Sequence, residues 1–326
     1  MSIPAADSPG DRLRVVLAEA LEPEGVAVLD AEPGLEVVDV SPGGREVLFE
    51  ALERAAGLIV RGGTTVDEVL LRAAPALRVV GRAGVGVDNI DLGAAARRGV
   101  AVMNAPSGNT CSTAELTFGL LLAAARHIAR ADRSVRAGEW DRKALRGSQL
   151  HGRALGVVGA GRIGSAVLAV GRAFGMGLLA CDPYLTPHRM EEIGAEFLEF
   201  RALLERADVV SFHVPLTAET DGMLGEAELA RMKPGAFLVN ASRGGVVDER
   251  AVARALIEGR LAGAGLDVFA EEPLPAGSPL REAPNLVTTP HLGGATDEAK
   301  RAVAIEVATS VRDALLGAEL GPALNL

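Results

Sequence analysis

Leu155-Gly156-Val157-Val158-Gly159-Ala160-Gly161-Arg162-Ile163-Gly164 runs an apolar segment straight into the pattern G-x-G-x-x-G. The chain holds 39 glycines, so the pattern alone decides little. Its setting decides more. The run Leu155–Val158 reads as a buried strand, and a helical pattern follows to about Phe174. Gly159 permits a tight turn, Gly161 lets a pyrophosphate approach the backbone, and Gly164 allows close helix–strand packing. The helix start offers free N–H groups and a positive dipole end to phosphates. The next apolar run, Leu178–Cys181, ends in Asp182, roughly 20 residues past the glycines. A carboxylate there accepts bonds from ribose hydroxyls and repels a 2′-phosphate, so NAD is expected rather than NADP. The competing reading is a mononucleotide or flavodoxin-like turn.

Outward from this loop, short apolar runs alternate with amphipathic stretches in both directions. Before it, strands are expected at Leu13–Ala18, Leu35–Val40, Gly57–Arg61, Leu77–Gly81 and Val100–Met103, and helices at Arg45–Ala56, Val66–Ala73 and Leu92–Arg98. A long helix is expected over Ser112–Ala137, capped by Ser112 with Glu115. After it, strands are expected at Ala154–Val158, Leu178–Cys181, Val209–Val214, Ala236–Asn240, Gly263–Val268 and Leu286–Thr289, with a closing helix from Thr296 to Leu316. Alternation of this kind gives parallel sheets covered by helices on both faces. The expected class is therefore α/β, with two doubly wound parallel-sheet lobes. The polar residues before Asp11 are expected to fray.

Composition excludes several classes. The formal net charge of −10 speaks against a nucleic-acid partner, while a few arginines in one cleft still admit a small anionic substrate. No apolar run approaches the roughly 20 residues of a membrane span, and the start lacks a signal-peptide pattern. Two cysteines, Cys111 and Cys181, far apart and mostly in apolar company, suggest a reducing cytoplasm. Lys143, Lys233 and Lys300 are the three lysines, and none has a Schiff-base setting. No metal is expected.

Among five histidines, His291 stands out, because it follows Thr288-Thr289-Pro290 at a strand end and precedes Gly293-Gly294. Ends of parallel strands are where α/β folds place their chemistry. His127 reads as structural within the long helix, His151 as loop, and His188 as a helix start with nothing around it. His213, in Ser211-Phe212-His213-Val214-Pro215-Leu216, reads either as a neighbour of a nucleotide or as a satisfied strand-end group. Oxidising an alcohol needs a proton acceptor, a cation for a carboxylate, and a group that orients the base. Arg243, in Asn240-Ala241-Ser242-Arg243-Gly244-Gly245, and Glu272, in Asp267-Val268-Phe269-Ala270-Glu271-Glu272-Pro273, both lie just past expected strands. Solvated loop residues are the plainer reading of each.

Taken together, these segments resemble the D-2-hydroxyacid dehydrogenase family, most closely its phosphoglycerate dehydrogenase branch. The resemblance covers nearly the whole chain. It runs through Val60-Arg61, Val80–Asp91, Met103-Asn104-Ala105-Pro106, the glycine loop, His213-Val214-Pro215-Leu216, Asn240–Asp248, Asp267–Pro273 and Pro290–Gly294. It implies Arg243, Glu272 and His291 as the catalytic set, with Glu272 rather than Glu271 at the position before the proline. It implies cofactor contacts at Arg162, Ile163, Asp182, His213, Pro215, Ala241, Ser242, Arg243, Asp267, His291, Gly293 and Gly294, beside Gly159, Gly161 and Gly164. Substrate contacts are implied at Arg61, Arg82, Gly84, Val85 and Arg243.

The same resemblance implies a Rossmann NAD-binding domain, residues 106–296, inserted into a flavodoxin-like substrate domain, residues 1–105 and 297–326. It implies NAD-dependent oxidation of 3-phospho-D-glycerate to 3-phosphohydroxypyruvate, with Arg61 and Arg82 holding the phosphoryl end. The alternatives are glyoxylate or hydroxypyruvate reduction, or, in another class, an NAD(H)-sensing corepressor-like binding protein. The helices around Ser112–Ala137 would build a homodimer face, and Arg142 beside Trp140 would add charge from a partner subunit. Because the chain stops at Leu326, serine feedback is not expected and a dimer is expected over a tetramer. Val85 occupies a position where some relatives carry a hydroxyl.

Overall fold

A computed structural model describes residues 12–317 and 323–325. The chain divides into two compact units, one drawn from Met1–Asn109 and Thr296–Leu326, the other from Thr110–Ala295. The fraying expected before Asp11 lies outside the described residues.

The first unit alternates strand and helix: β1 (Leu13–Leu17), α1 (Pro23–Asp30), β2 (Leu35–Asp39), α2 (Gly44–Leu52), β3 (Ala55–Val60), α3 (Glu68–Ala73), β4 (Val79–Arg82), α4 (Leu92–Arg97) and β5 (Ala101–Asn104). All strand pairs are parallel, in the order β2-β1-β3-β4-β5, which is flavodoxin-like. Every residue of β3 is buried, as a strand covered on both faces requires.

The second unit opens with α5 (Thr110–Ala125) and α6 (Ile128–Arg136), then β6 (Ala154–Val158), α7 (Arg162–Ala173), β7 (Gly177–Cys181), α8 (Pro187–Ile193), β8 (Glu196–Phe197), α9 (Phe200–Arg206) and β9 (Val209–Phe212). It continues through α10 (Glu226–Leu229), β10 (Ala236–Asn240), α11 (Glu249–Ile257), β11 (Leu261–Leu266) and β12 (Leu286–Thr288). Its seven parallel strands are ordered β12-β11-β10-β9-β6-β7-β8, so the winding reverses at β6, as in a Rossmann sheet. The last helix, α12 (Asp297–Leu315), returns to the first unit. There the missing β-carbon of Gly81 admits Val307 and Val311 against β4.

Several expectations need correction. Propensity assigns Ala55 and Ala56 to a helix, yet they open β3, because burial against β1 outweighs local preference. The long helix is two helices. It starts at Thr110, before the expected cap at Ser112, and breaks at His127, whose φ of 55° is left-handed. The burial patterns explain the break: α5 has a broad buried face, whereas α6 buries no residue. Cys111 is exposed, and His188 is not isolated but lies 3.5 Å from Glu192 one turn on. The two-residue strand β8 is too short to leave a periodic signal in the sequence. Among the described residues, no helix is long and apolar enough to cross a membrane.

Candidate active site

Three neighbouring strands, β10, β11 and β12, end side by side, and each is followed by one of the expected catalytic residues. Beyond β12, the chain turns at His291, whose φ of 56° is left-handed. Its backbone N–H donates to the carbonyl of Asp267 at 2.8 Å. The Asp267 carboxylate, with no exposed surface, anchors the same segment. Oδ1 accepts from Thr289 Oγ1 at 2.6 Å and from Leu292 N at 2.7 Å, and Oδ2 accepts from Gly293 N at 2.8 Å. Thr113, buried on α5, donates its hydroxyl to Gly293 O at 3.0 Å. The loop is thus fixed from two sides.

With the loop fixed, the imidazole meets its partner. His291 Nδ1 lies 2.9 Å from Glu272 Oε2, and the other carboxylate oxygen accepts from Phe269 N at 3.1 Å. Because an ionised carboxylate only accepts, a neutral imidazole in this pair carries its proton on Nδ1 and its lone pair on Nε2. Both side chains are about half exposed, as groups that meet a ligand must be. A cavity of about 960 Å³ opens beside the pair, its wall including His127, Arg130, Arg133 and Arg281.

Arg243 follows β10 on a turn packed against the chain that carries Glu272. A β-carbon at Gly244 would collide with the carbonyl of Phe269. Arg243 Nη1 donates to Ser242 O at 2.7 Å. Ala241 and Ser242 are almost fully buried. The structure therefore places Arg243, Glu272 and His291 on one sheet edge within one unit.

The glycine loop occupies the reversal point of the same sheet. Gly159 takes a φ of +85°, and a β-carbon there would lie 2.5 Å from His213 O. At Gly164, a β-carbon would run into the carbonyl of Gly159. Gly161, capping α7, has open space where its β-carbon would be. Arg162 is exposed and Ile163 half-buried on the first turn of α7. Asp182 stands at the end of β7, accepting from Ala160 N at 2.9 Å and Tyr184 N at 3.0 Å.

His213 follows β9 against this loop. Its Nε2 is 2.8 Å from Ser211 Oγ, while Nδ1 is buried without a protein partner. Burial pushes its pKa down to about 3, so the ring is neutral. An open glycine cradle, a helix N-terminus, an acid at the next strand end and an orphaned ring nitrogen fit a dinucleotide. Pro215 O is occupied by Thr220 Oγ1 at 2.5 Å. Gly294 is half-buried beside the anchored Gly293. Among the described residues, no group of His, Cys, Asp or Glu is arranged to hold a metal ion.

The profile of the D-isomer specific 2-hydroxyacid dehydrogenase NAD-binding domain matches residues 118–293. The chain belongs to this family. The 2-hydroxyacid dehydrogenase profile thus covers the glycine loop, Asp182 and all three strand-end residues. A D-3-phosphoglycerate dehydrogenase of Mycobacterium leprae is 47% identical over 312 residues, covering 96% of this chain and 58% of that protein. Another from Archaeoglobus fulgidus is 42% identical over 314 residues, and the chain spans 59% of its length. Among solved structures, the TT0316 protein of Thermus thermophilus superposes with a TM-score of 0.85 at 38% identity, covering 96% of this chain and all of that one. A glyoxylate reductase from Paecilomyes thermophila reaches 0.86 at 30% identity, covering 96% and 98%.

In the first unit of this family member, the expected substrate residues lie close together. The guanidinium of Arg82 rests over Gly84, where a β-carbon would strike it, and near Gly62. Val85 O accepts from Asn104 Nδ2 at 2.7 Å. Arg61 has partners within its own unit. Its Nη1 pairs with Glu22 at 3.3 Å and donates to Ala20 O at 3.3 Å, so this guanidinium already has an anion. Sequence reasoning also missed Glu19, whose carboxylate accepts from the backbone N–H of Arg61, Gly63 and Thr64. It passed over Asn89, which donates to the carbonyls of Arg61 and Thr64. Asn89 was visible only as part of a quoted motif, and nothing local marked Glu19.

Proposed function

We propose that this protein is an NAD-dependent dehydrogenase that oxidises 3-phospho-D-glycerate to 3-phosphohydroxypyruvate. The observation that carries the reading is the His291–Glu272 pair, which engages Nδ1 and leaves Nε2 of His291 available to a substrate on the strand-end edge that also bears Arg243. His291 Nε2 accepts the proton of the C2 hydroxyl. Glu272 holds the ring in that tautomer and balances the charge formed on it. Arg243 clamps the substrate carboxylate through its planar fork of donors. NAD bound in the glycine loop would supply the acceptor for the C2 hydride, so that the products balance as the 2-keto acid, NADH and one proton. Residues Gly159, Gly161, Gly164, Arg162, Ile163 and Asp182 would hold its pyrophosphate and adenosine ribose, with His213 beside them. The unit from residue 110 to 295 is the cofactor domain and the other unit the substrate domain, with Arg82, Gly84 and Val85 on the substrate side.

The names of the curated relatives support the phosphorylated substrate. The Arg61–Glu22 pair favours a second reading, reduction of glyoxylate or hydroxypyruvate, because it removes one cation from a phosphate site. We also propose a cytoplasmic homodimer assembled through α6, which buries nothing and exposes Ile128 and Val135, with Trp140 79% exposed just beyond it.

The deciding experiment follows NADH absorbance while NAD and NADP are offered with a panel of phosphorylated and plain 2-hydroxy acids. The phosphorylated substrate is expected to give the highest kcat/KM, with NAD. If Arg61→Ala and Arg82→Ala leave its KM unchanged, the reductase reading takes precedence.

A further inference from the structure

Asn240 is the last residue of β10 and has no exposed surface. Its side chain is spent on the turn ahead of it. Nδ2 donates to the carbonyl of Arg243 at 2.9 Å, while Oδ1 accepts from Ser242 N at 3.0 Å and from Ser242 Oγ at 2.7 Å. The carboxamide thus acts as an inserted peptide group that closes the segment 240–243 on itself. Its own backbone carbonyl accepts from Asp267 N at 2.9 Å, joining the turn to the end of β11.

A turn built this way has one geometry. Moving the Arg243 carbonyl would break the Nδ2 bond, and moving Ser242 would break two more. On the far side, Gly244 is pressed against the Phe269 carbonyl. The Cα of Arg243 is therefore held between a buried amide and a neighbouring loop, which fixes where the side chain starts, and Nη1 then donates to the carbonyl of Ser242 within the same turn. A buried polar group that loses its partner costs far more than an exposed one, so the turn cannot relax freely when the amide is removed.

We propose that Asn240 is the positioning residue for Arg243. Its carboxamide sets the turn that aims the guanidinium and so governs affinity for a substrate carboxylate that it never touches. This rests on reading Arg243 as the carboxylate clamp.

The test is a double-mutant cycle on the full chain with Asn240→Ala, Arg243→Ala and the double variant, using 3-phospho-D-glycerate with NAD and, as a separate reductive assay, glyoxylate with NADH. KM and kcat are measured separately, and calorimetry follows 3-phospho-D-glycerate binding to enzyme saturated with NADH. Asn240→Ala is expected to weaken acid binding about tenfold. In the Arg243→Ala background, the same change should cost less than about twofold, since the group it positions is gone. Equal losses in both backgrounds, or unchanged binding in Asn240→Ala, would overturn the proposal. If Arg243→Ala itself leaves catalysis intact, the clamp reading fails, which is a separate outcome. Should Asn240→Ala fold poorly, Asn240→Ser keeps a short polar group in the same space. A stable Asn240→Ser enzyme with wild-type affinity would equally overturn the idea.

Discussion

Glu272 reaches His291 with one carboxylate oxygen, at 2.9 Å, and the backbone N–H of Phe269 with the other. The acid is therefore held before it holds the base. Neither contact depends on the first unit of the chain.

Replacing His291 by Gln removes the proposed proton acceptor while keeping a polar side chain. Turnover should fall about 100-fold or more, with NAD affinity little changed. Steady-state rates and calorimetric titration with NAD separate the two effects.

Glu272→Gln keeps the shape but can present an N–H to Nδ1, which favours the wrong tautomer. We expect kcat to fall at least about tenfold, with the thermal midpoint close to wild type because the group is half exposed. A wild-type kcat would show that the pair is structural.

The glycine loop gives a contrast between two one-methyl changes. Gly161→Ala meets open space and should fold normally, yet lose NAD affinity about tenfold where the methyl occupies the phosphate approach. Gly164→Ala drives its methyl into the Gly159 carbonyl and should lower the thermal midpoint as well. Thermal denaturation and NAD titration read both.

Burial of neutral His213 predicts a pH dependence of stability. Its pKa is lowered from 6.5 to about 3 by burial, so between these values the unfolded chain binds a proton that the folded ring refuses. The stabilisation is complete above pH 6.5 and is lost as the pH falls towards 3. Within the window the slope from this group is at most about 1.4 kcal/mol per pH unit. Denaturant titrations between about pH 7 and pH 4 should show a shallower slope for His213→Asn than for wild type.

Much of this was legible in the sequence because it is local. The glycine loop, Asp182 and the three strand-end residues each sit in a short motif whose spacing follows from the geometry of a strand and its turn. The break at His127 was not, because a left-handed histidine leaves no compositional mark of the kind glycine or proline leaves. Nor was the Arg61–Glu22 pair, which joins residues 39 apart and depends on how β1 and β3 lie together. Asn240 was quoted within a motif, but what its amide bonds to exists only in three dimensions.

The bare backbone at Gly244 has a practical corollary for anyone reshaping this protein. Two stretches of chain touch there with no room for even one methyl group, so neither can be redesigned alone. A library that varies the segment near 243 to accept new acids must vary residues 269 and 270 in the same clones, or its members will be discarded for misfolding rather than for poor chemistry.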